Sequence, residues 1–209
     1  MEYSGAEKES KVEYEISRSR FIARIAPADG VEAGLEYVAA VKKMHPDATH
    51  HPYAVTGSPE SGAFRFSDDG EPHGTSGMPI LNVLKKKELY NTVIVVTRYF
   101  GGIKLGAGGL VQAYSHAATL AADAASVARF RLSEIYRVEL EYSEFRLLDS
   151  LLKATEARIY DINYAERTTA TIAVPATNRE RFESGFKALT EGRPDKIEHL
   201  KSKYFTYTR

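Results

Sequence analysis

Five glycines fall within nine residues, Gly101 to Gly109, in the run Arg98-Tyr-Phe-Gly-Gly-Ile-Lys-Leu-Gly-Ala-Gly-Gly-Leu110. An unbroken apolar stretch at 93–96 precedes the run and an Ala-rich segment at 111–128 follows it. The pattern predicts strand, glycine loop, helix. Glycine allows positive φ and close backbone approach, and each one costs roughly 0.5–1 kcal/mol relative to alanine in regular structure. Two explanations stand side by side. Either the loop turns tightly between packed layers, or it lets a ligand come close to its backbone. A helix opening behind it would aim free N–H groups and a positive dipole end at an anion. Neither standard phosphate fingerprint is present. Gly101 and Gly106 have Walker spacing, but Ala107-Gly108 stands where Lys-Ser/Thr is needed. Val111 occupies the third glycine of a dinucleotide motif.

The second dense feature is Ser67-Asp-Asp-Gly-Glu-Pro-His-Gly-Thr-Ser-Gly77, with Asp68, Asp69, Glu71 and His73 in six residues. Carboxylates in such a cluster can ligate oxygen-loving cations or move protons. The spacing is not that of an EF-hand. As a plain turn, the aspartates cap neighbouring N–H groups while Gly and Pro fix the chain. That reading is preferred over catalysis, and recognition of a partner stays open. His50 and His51 adjoin a strand, so they point to opposite faces and do not easily share one metal. One is expected buried and hydrogen-bonded, the other solvent-facing. No Ser-His-Asp or G-x-S-x-G pattern occurs. Lys85-Lys86-Lys87 reads as a solvated helix end. Arg98 and Lys104 are the cations best placed to meet an anion at the glycine loop. Tyr99-Phe100 offers a stacking surface or, alternatively, the buried end of a strand.

Composition closes several routes. The absence of cysteine removes disulfides, Cys-ligated zinc and thiol catalysis. Lysine plus arginine equal aspartate plus glutamate at 28 each, so bulk charge shows no nucleic-acid footprint, although a local patch is still allowed. No apolar run approaches the ~20 residues of a membrane span, and the N-terminus is polar and charged, so the chain is expected to be cytoplasmic with no membrane partner.

Along the chain, strands are expected at 12–16 and 21–26, a helix from Val31 to about Met44, and strands at 53–56 and 63–67. A helix opening near Pro79 and reaching Lys87 follows, then the strand, glycine loop and Ala-rich helix. Residues 134–209 read as a separate unit. A strand at 135–142 leads to a helix carrying Leu147, Leu148, Leu151 and Leu152, then strands at 158–164 and 168–174. A helix capped by Thr177 and Glu180 and a last strand from about Ile197 complete it. This β-α-β-β-α-β order is ferredoxin-like. The expected domains are 1–130 and 134–209, in an α+β fold with the boundary near 128–133.

With both loops in place, the chain resembles the YigZ/IMPACT family. The match rests on Ser19-Arg20-Phe21-Ile22, on His50-x-x-Tyr53-Ala54, on the 67–77 loop, and on the run from Val95 to Leu110 with Ala113-Tyr114. It covers about 11–128, and the remainder resembles the smaller C-terminal domain of bacterial and archaeal members. Where members often carry a cysteine, this chain has Pro52, so no mechanism can use that thiol. The resemblance implies an N-terminal domain like the second domain of small-subunit ribosomal protein five, a sheet covered by helices on one face. It implies a C-terminal domain like the ferredoxin-like modules of elongation factor G. It further implies a non-catalytic binding or regulatory role linked to translation, with RNA, the ribosome or a translation-control protein as partner. An enzyme acting on a nucleotide-like substrate and a ligand-free protein adaptor remain the alternatives. The ligand contacts expected are Arg98, Gly101, Gly102, Lys104, Gly106, Gly108, Gly109, Asp68, Asp69, Glu71, Thr75 and His50. No catalytic residue, metal or cofactor is expected.

Overall fold

The computed structural model describes residues 2–164 and 167–206, so residues 1, 165–166 and 207–209 of the two expected domains lie outside it. The described chain gathers into two compact units, Tyr3–Arg129 and the residues from Phe130 onward.

In the first unit a five-stranded sheet runs in the order β2 (Ser10–Ile16), β3 (Ser19–Pro27), β6 (Thr92–Tyr99), β4 (Tyr53–Thr56), β5 (Phe64–Ser67). All four pairings are antiparallel. Two residues join β2 to β3, and Ser17 and Arg18 both have positive φ (49° and 61°), the geometry of a tight hairpin that follows the strand twist. Helices α2 (Gly77–Lys86) and α3 (Gly106–Ala124) cover one face, burying Phe21, Ile25, Ile94 and Val96 against Leu81, Leu84, Tyr114 and Ala118.

The opposite face is covered as well, which corrects the one-sided arrangement implied by resemblance. Helix α1 (Gly30–Met44) lays Val38 and Val41 on Val55, Val93 and Val95. The reason is legible in β6 itself: Val93 to Val96 are all buried, so successive side chains on both faces need cover. Gly34 permits the contact, because a Cβ there would stand 2.3 Å from a Val55 methyl.

A short first strand, β1 (Glu2–Ala6), has no announcing pattern in the sequence. It is tied in by the Ala6 N–H donating to Thr92 Oγ1 (3.1 Å) and by Asn91 Nδ2 donating to the Tyr3 hydroxyl (2.8 Å).

The second unit has the expected order. Strands β7 (Val127–Leu140), β8 (Arg158–Tyr164), β9 (Thr168–Pro175) and β10 (Ile197–Thr206) lie as β10-β7-β9-β8, all antiparallel, with α4 (Tyr142–Thr155) and α5 (Arg179–Leu189) over one apolar core. Three local details differ from expectation. The strand expected from 135 begins at Val127, so the boundary, expected near 128–133 and found between Arg129 and Phe130, lies inside a continuous β7. Leu147 is exposed, because it lies one residue and so about 100° around the helix from buried Leu148. The capping box sits on α4, where the Glu144 carboxylate accepts the Glu141 N–H (2.9 Å). At α5 a turn of 3₁₀ helix, Ala176–Asn178, displaces Thr177 from the capping position.

Candidate functional site

The β6 strand ends by delivering Arg98 into the interior. Its neighbours in the sheet, Phe21 on β3 and the backbone of His50, fix it from both sides. Arg98 is 4% exposed, and its Nη1 donates to Glu71 Oε1 at 2.6 Å. The Tyr114 hydroxyl, from inside α3, donates to the same oxygen at 2.6 Å. Nη2 reaches the Ser19 hydroxyl (3.3 Å), which also accepts the Gly101 N–H (3.2 Å). Burial, together with the Glu71 carboxylate it bonds, pushes the Tyr114 phenol far above its ordinary range and keeps it a donor. Five segments thus meet on one buried ion pair.

Above this pair lies a cleft of about 410 Å³. Glu71 and Pro72 come from the acidic loop, Lys104 to Ala107 from the glycine loop, and Thr49 with His50 from the segment before β4. Phe100, Leu105 and Leu110 give it apolar walls. The two loops singled out in the sequence therefore converge, and His50, Glu71, Arg98, Lys104 and Gly106 share the cleft.

The other expected contacts have local structural roles. Asp68 accepts the N–H groups of Gly74 (2.8 Å), Ser76 (3.1 Å) and Gly77 (2.8 Å), and the Ser76 hydroxyl (2.9 Å). Burial pushes this carboxyl up, but those donors outweigh it and hold the group below the usual range. Asp69, in a left-handed conformation, accepts Lys42 Nζ (2.5 Å) and the His51 N–H (2.7 Å). Its carboxyl is likewise lowered against the push of burial. Thr75 is buried, and its hydroxyl donates to the Pro72 carbonyl. The acidic loop is thus a self-capped turn from which Glu71 alone among its carboxylates enters the cleft.

The glycines divide in the same way. Gly101 abuts the β2–β3 turn so closely that a Cβ would lie 2.0 Å from the Arg18 carbonyl carbon and oxygen. Gly102 and Gly106 have positive φ (86° and 71°). Gly109 packs against Leu105. Gly108 is different: its φ is ordinary, it lies in the first turn of α3, and nothing stands within 4 Å of a Cβ built there.

Arg98 corrects the sequence expectation of an accessible cation, since its charge is already matched by Glu71. Lys104 is exposed and makes no ion pair among the described residues. Helix α3 has no side-chain cap at Leu105. Phe100 is 45% exposed, whereas Tyr99 turns inward, where its hydroxyl meets His45 Nδ1 (3.0 Å).

Both histidines are bonded. His51 is buried with Nε2 on the His45 carbonyl, and burial lowers its basicity despite Asp69. His50 Nδ1 meets the Asp69 carbonyl (2.8 Å); a carbonyl only accepts, so Nδ1 carries the proton and Nε2 is left as an acceptor. The lysine run is a helix end, as read from sequence, with Lys87 on Asp123 (2.5 Å) and Lys85 over the Phe64 ring. Tyr114 and Ser19 were missed as site residues. The signal for Tyr114 was a lone aromatic on the small-residue face of an Ala-rich helix.

The fold and cleft define a two-unit α+β protein whose first unit carries a ligand-sized groove at a helix N-terminus. Comparison with known proteins makes this specific. Residues 17–122 match the Impact N-terminal domain, and residues 138–193 match a domain of unknown function, DUF1949. The chain is 37% identical over 180 residues to the IMPACT family member YigZ of Escherichia coli, covering 85% of this chain and 88% of that one. It is 34% identical over 180 residues to the IMPACT family member YvyE of Bacillus subtilis, covering 86% and 83%. A solved structure titled as that of a hypothetical protein superposes with a TM-score of 0.68 at 33% identity, covering 95% of this chain and 96% of that one. The chain belongs to the IMPACT family. Among the described residues no helix is long and apolar enough to cross a membrane.

Proposed function

We propose that the protein is a non-catalytic binding protein acting on translation, and that it holds RNA through the cleft of its N-terminal unit. The observation that carries this reading is the meeting, in one cleft, of an uncapped helix N-terminus, an unpaired lysine and an exposed aromatic ring. Those are a phosphate-binding end and a stacking surface, the two elements single-stranded nucleic acid needs. Lys104 supplies the mobile charge, Phe100 the ring, and the Arg98–Glu71 pair a rigid floor.

The test is association with single-stranded RNA and with ribosomes across a salt series. One or two phosphate contacts give a shallow slope, about −1 in log K against log salt. Lys104→Ala is expected to weaken association about fivefold or more while leaving the melting temperature unaltered. Unchanged association in that variant would overturn the reading and favour a protein adaptor.

A further inference from the structure

We infer that the cleft is built for a nucleoside phosphate, with the phosphate on the N-terminus of α3 beside Lys104 and the base on Phe100, its amino edge toward Glu71. This rests on the binding reading above and names the ligand chemistry of that same site.

Three independent observations carry it. The first is in the floor. Arg98 is 4% exposed and its Nε–H has no hydrogen-bond partner, although both terminal nitrogens do. Buried orphan donors are rare and call for an explanation. Glu71 is 8% exposed; Oε1 takes both the Arg98 and Tyr114 bonds, and Oε2 is left without a described partner. The Nε is itself buried, so the open group that the cleft floor presents is the free Glu71 oxygen, an acceptor. A base bearing an amino group offers the matching donor.

The second is the wall. The Arg98 guanidinium carbon lies 5.4 Å from the Phe100 ring centroid, so the half-exposed ring stands directly over this polar pair. A flat ring stacked on Phe100 would share the cleft with Glu71. The volume, about 410 Å³, falls within the range of small-ligand sites.

The third is Gly108. A glycine in a helical turn, without positive φ and with open space where a side chain would go, has no reason within this chain. The first turn of α3 borders the cleft at Gly106 and Ala107, so a ligand seated on that turn supplies one. Alanine at Gly108 should keep the fold and harm the site.

The test uses the full chain in calorimetric titrations with AMP, GMP, CMP and UMP, with adenosine and guanosine, with inorganic phosphate, and with a tetranucleotide carrying or lacking a 5′-phosphate. Nucleotides should bind about tenfold more tightly than their nucleosides. Lys104→Ala and Phe100→Ala should each weaken AMP about tenfold, Gly108→Ala should also weaken it, and Lys85→Ala, away from the cleft, should not. If the phosphorylated tetranucleotide binds and mononucleotides match it, the ligand is a free nucleotide or a strand end alike. If only the tetranucleotide binds, in a 5′-phosphate-dependent way, it is the strand end. If RNA association depends on Lys104 but no nucleotide, nucleoside or 5′-phosphate is sensed, this inference falls and the binding function stands. If RNA association is also absent, both fall.

Discussion

Alanine substitution at three glycines of the 101–109 run separates glycines needed for the fold from one that the fold does not need. Gly108→Ala introduces a methyl with nothing within 4 Å, at a helical position with ordinary φ. Alanine exceeds glycine in helix interiors by about 0.8–1.0 kcal/mol, and a first-turn position retains roughly half of that or more. For a chain of this length 1 kcal/mol moves Tm by about 2–4 °C, so a rise of about 1–4 °C is expected. Gly106→Ala places a Cβ at φ +71°, a left-handed conformation costing roughly 1–2 kcal/mol. Gly101→Ala is the severest, since the new Cβ would stand 2.0 Å from the Arg18 carbonyl, which is backbone in a two-residue turn and cannot step aside cheaply. Overpacking of this kind costs about 1–3 kcal/mol or more. Thermal melts by circular dichroism should therefore rank Gly108→Ala above the parent, Gly106→Ala below it, and Gly101→Ala lowest. A Gly108→Ala variant that melts as low as Gly106→Ala would show that Gly108 is required by the fold and is not kept open for a ligand.

Other outcomes follow from the ion pair and the titrating groups. Glu71→Ala leaves Arg98 buried without its counter-charge and should cost about 3–5 kcal/mol in denaturant unfolding, whereas Tyr114→Phe removes one hydrogen bond to a charged group and should cost about 1.5–3 kcal/mol. His45 and His51 have basicities lowered by burial, so the native state binds fewer protons than the unfolded chain; stability should be full above about pH 6.5 and fall as pH drops through that value. Asp68 and Asp69 are lowered carboxyls, so their contribution persists above about pH 4 and is lost below it, giving a second acid step that Asp69→Asn should diminish. A chelator is expected to leave Tm unchanged, because a tightly bound ion would stabilise the native state by several kcal/mol through linkage.

The sequence was most readable where periodicity and punctuation were local. Strand β4 and the β-α-β-β-α-β order of the second unit follow from alternation and breakers, as does the helix behind the glycine loop. What stayed hidden depends on distant partners. Arg98 is 27 residues from Glu71, and Glu71 is 43 from Tyr114. An arginine beside a glycine loop therefore reads as an open cation until the fold supplies its carboxylate. Asp68, Asp69 and Glu71 look alike as a cluster, yet backbone N–H groups and Lys42 occupy the first two while a buried guanidinium takes the third. The second-face helix could have been inferred: four consecutive buried valines and isoleucine on β6 cannot be covered from one side.

A buried ion pair is poor evidence of selection for stability. Exchanging such a pair for apolar residues of similar volume is often neutral or stabilising by about 1–4 kcal/mol. Here the pair is joined by Tyr114 and Ser19, has its Arg98 guanidinium carbon 5.4 Å from the ring centre of a half-exposed Phe100, and leaves one N–H and one carboxylate oxygen without partners among the described residues. A purely structural polar network would gain by closing those valences internally. A recognition surface has the opposite requirement, since polar atoms must be held rigid and left open until a ligand pairs them. The double variant Glu71→Leu with Arg98→Met distinguishes the two. If the pair is only structural, the double variant keeps RNA association and melts no lower than Glu71→Ala. If the floor reads a ligand, the double variant recovers much of the stability lost in Glu71→Ala yet binds RNA and nucleotide at least tenfold more weakly than the parent. Recovered stability with undiminished binding would refute the assignment of the floor.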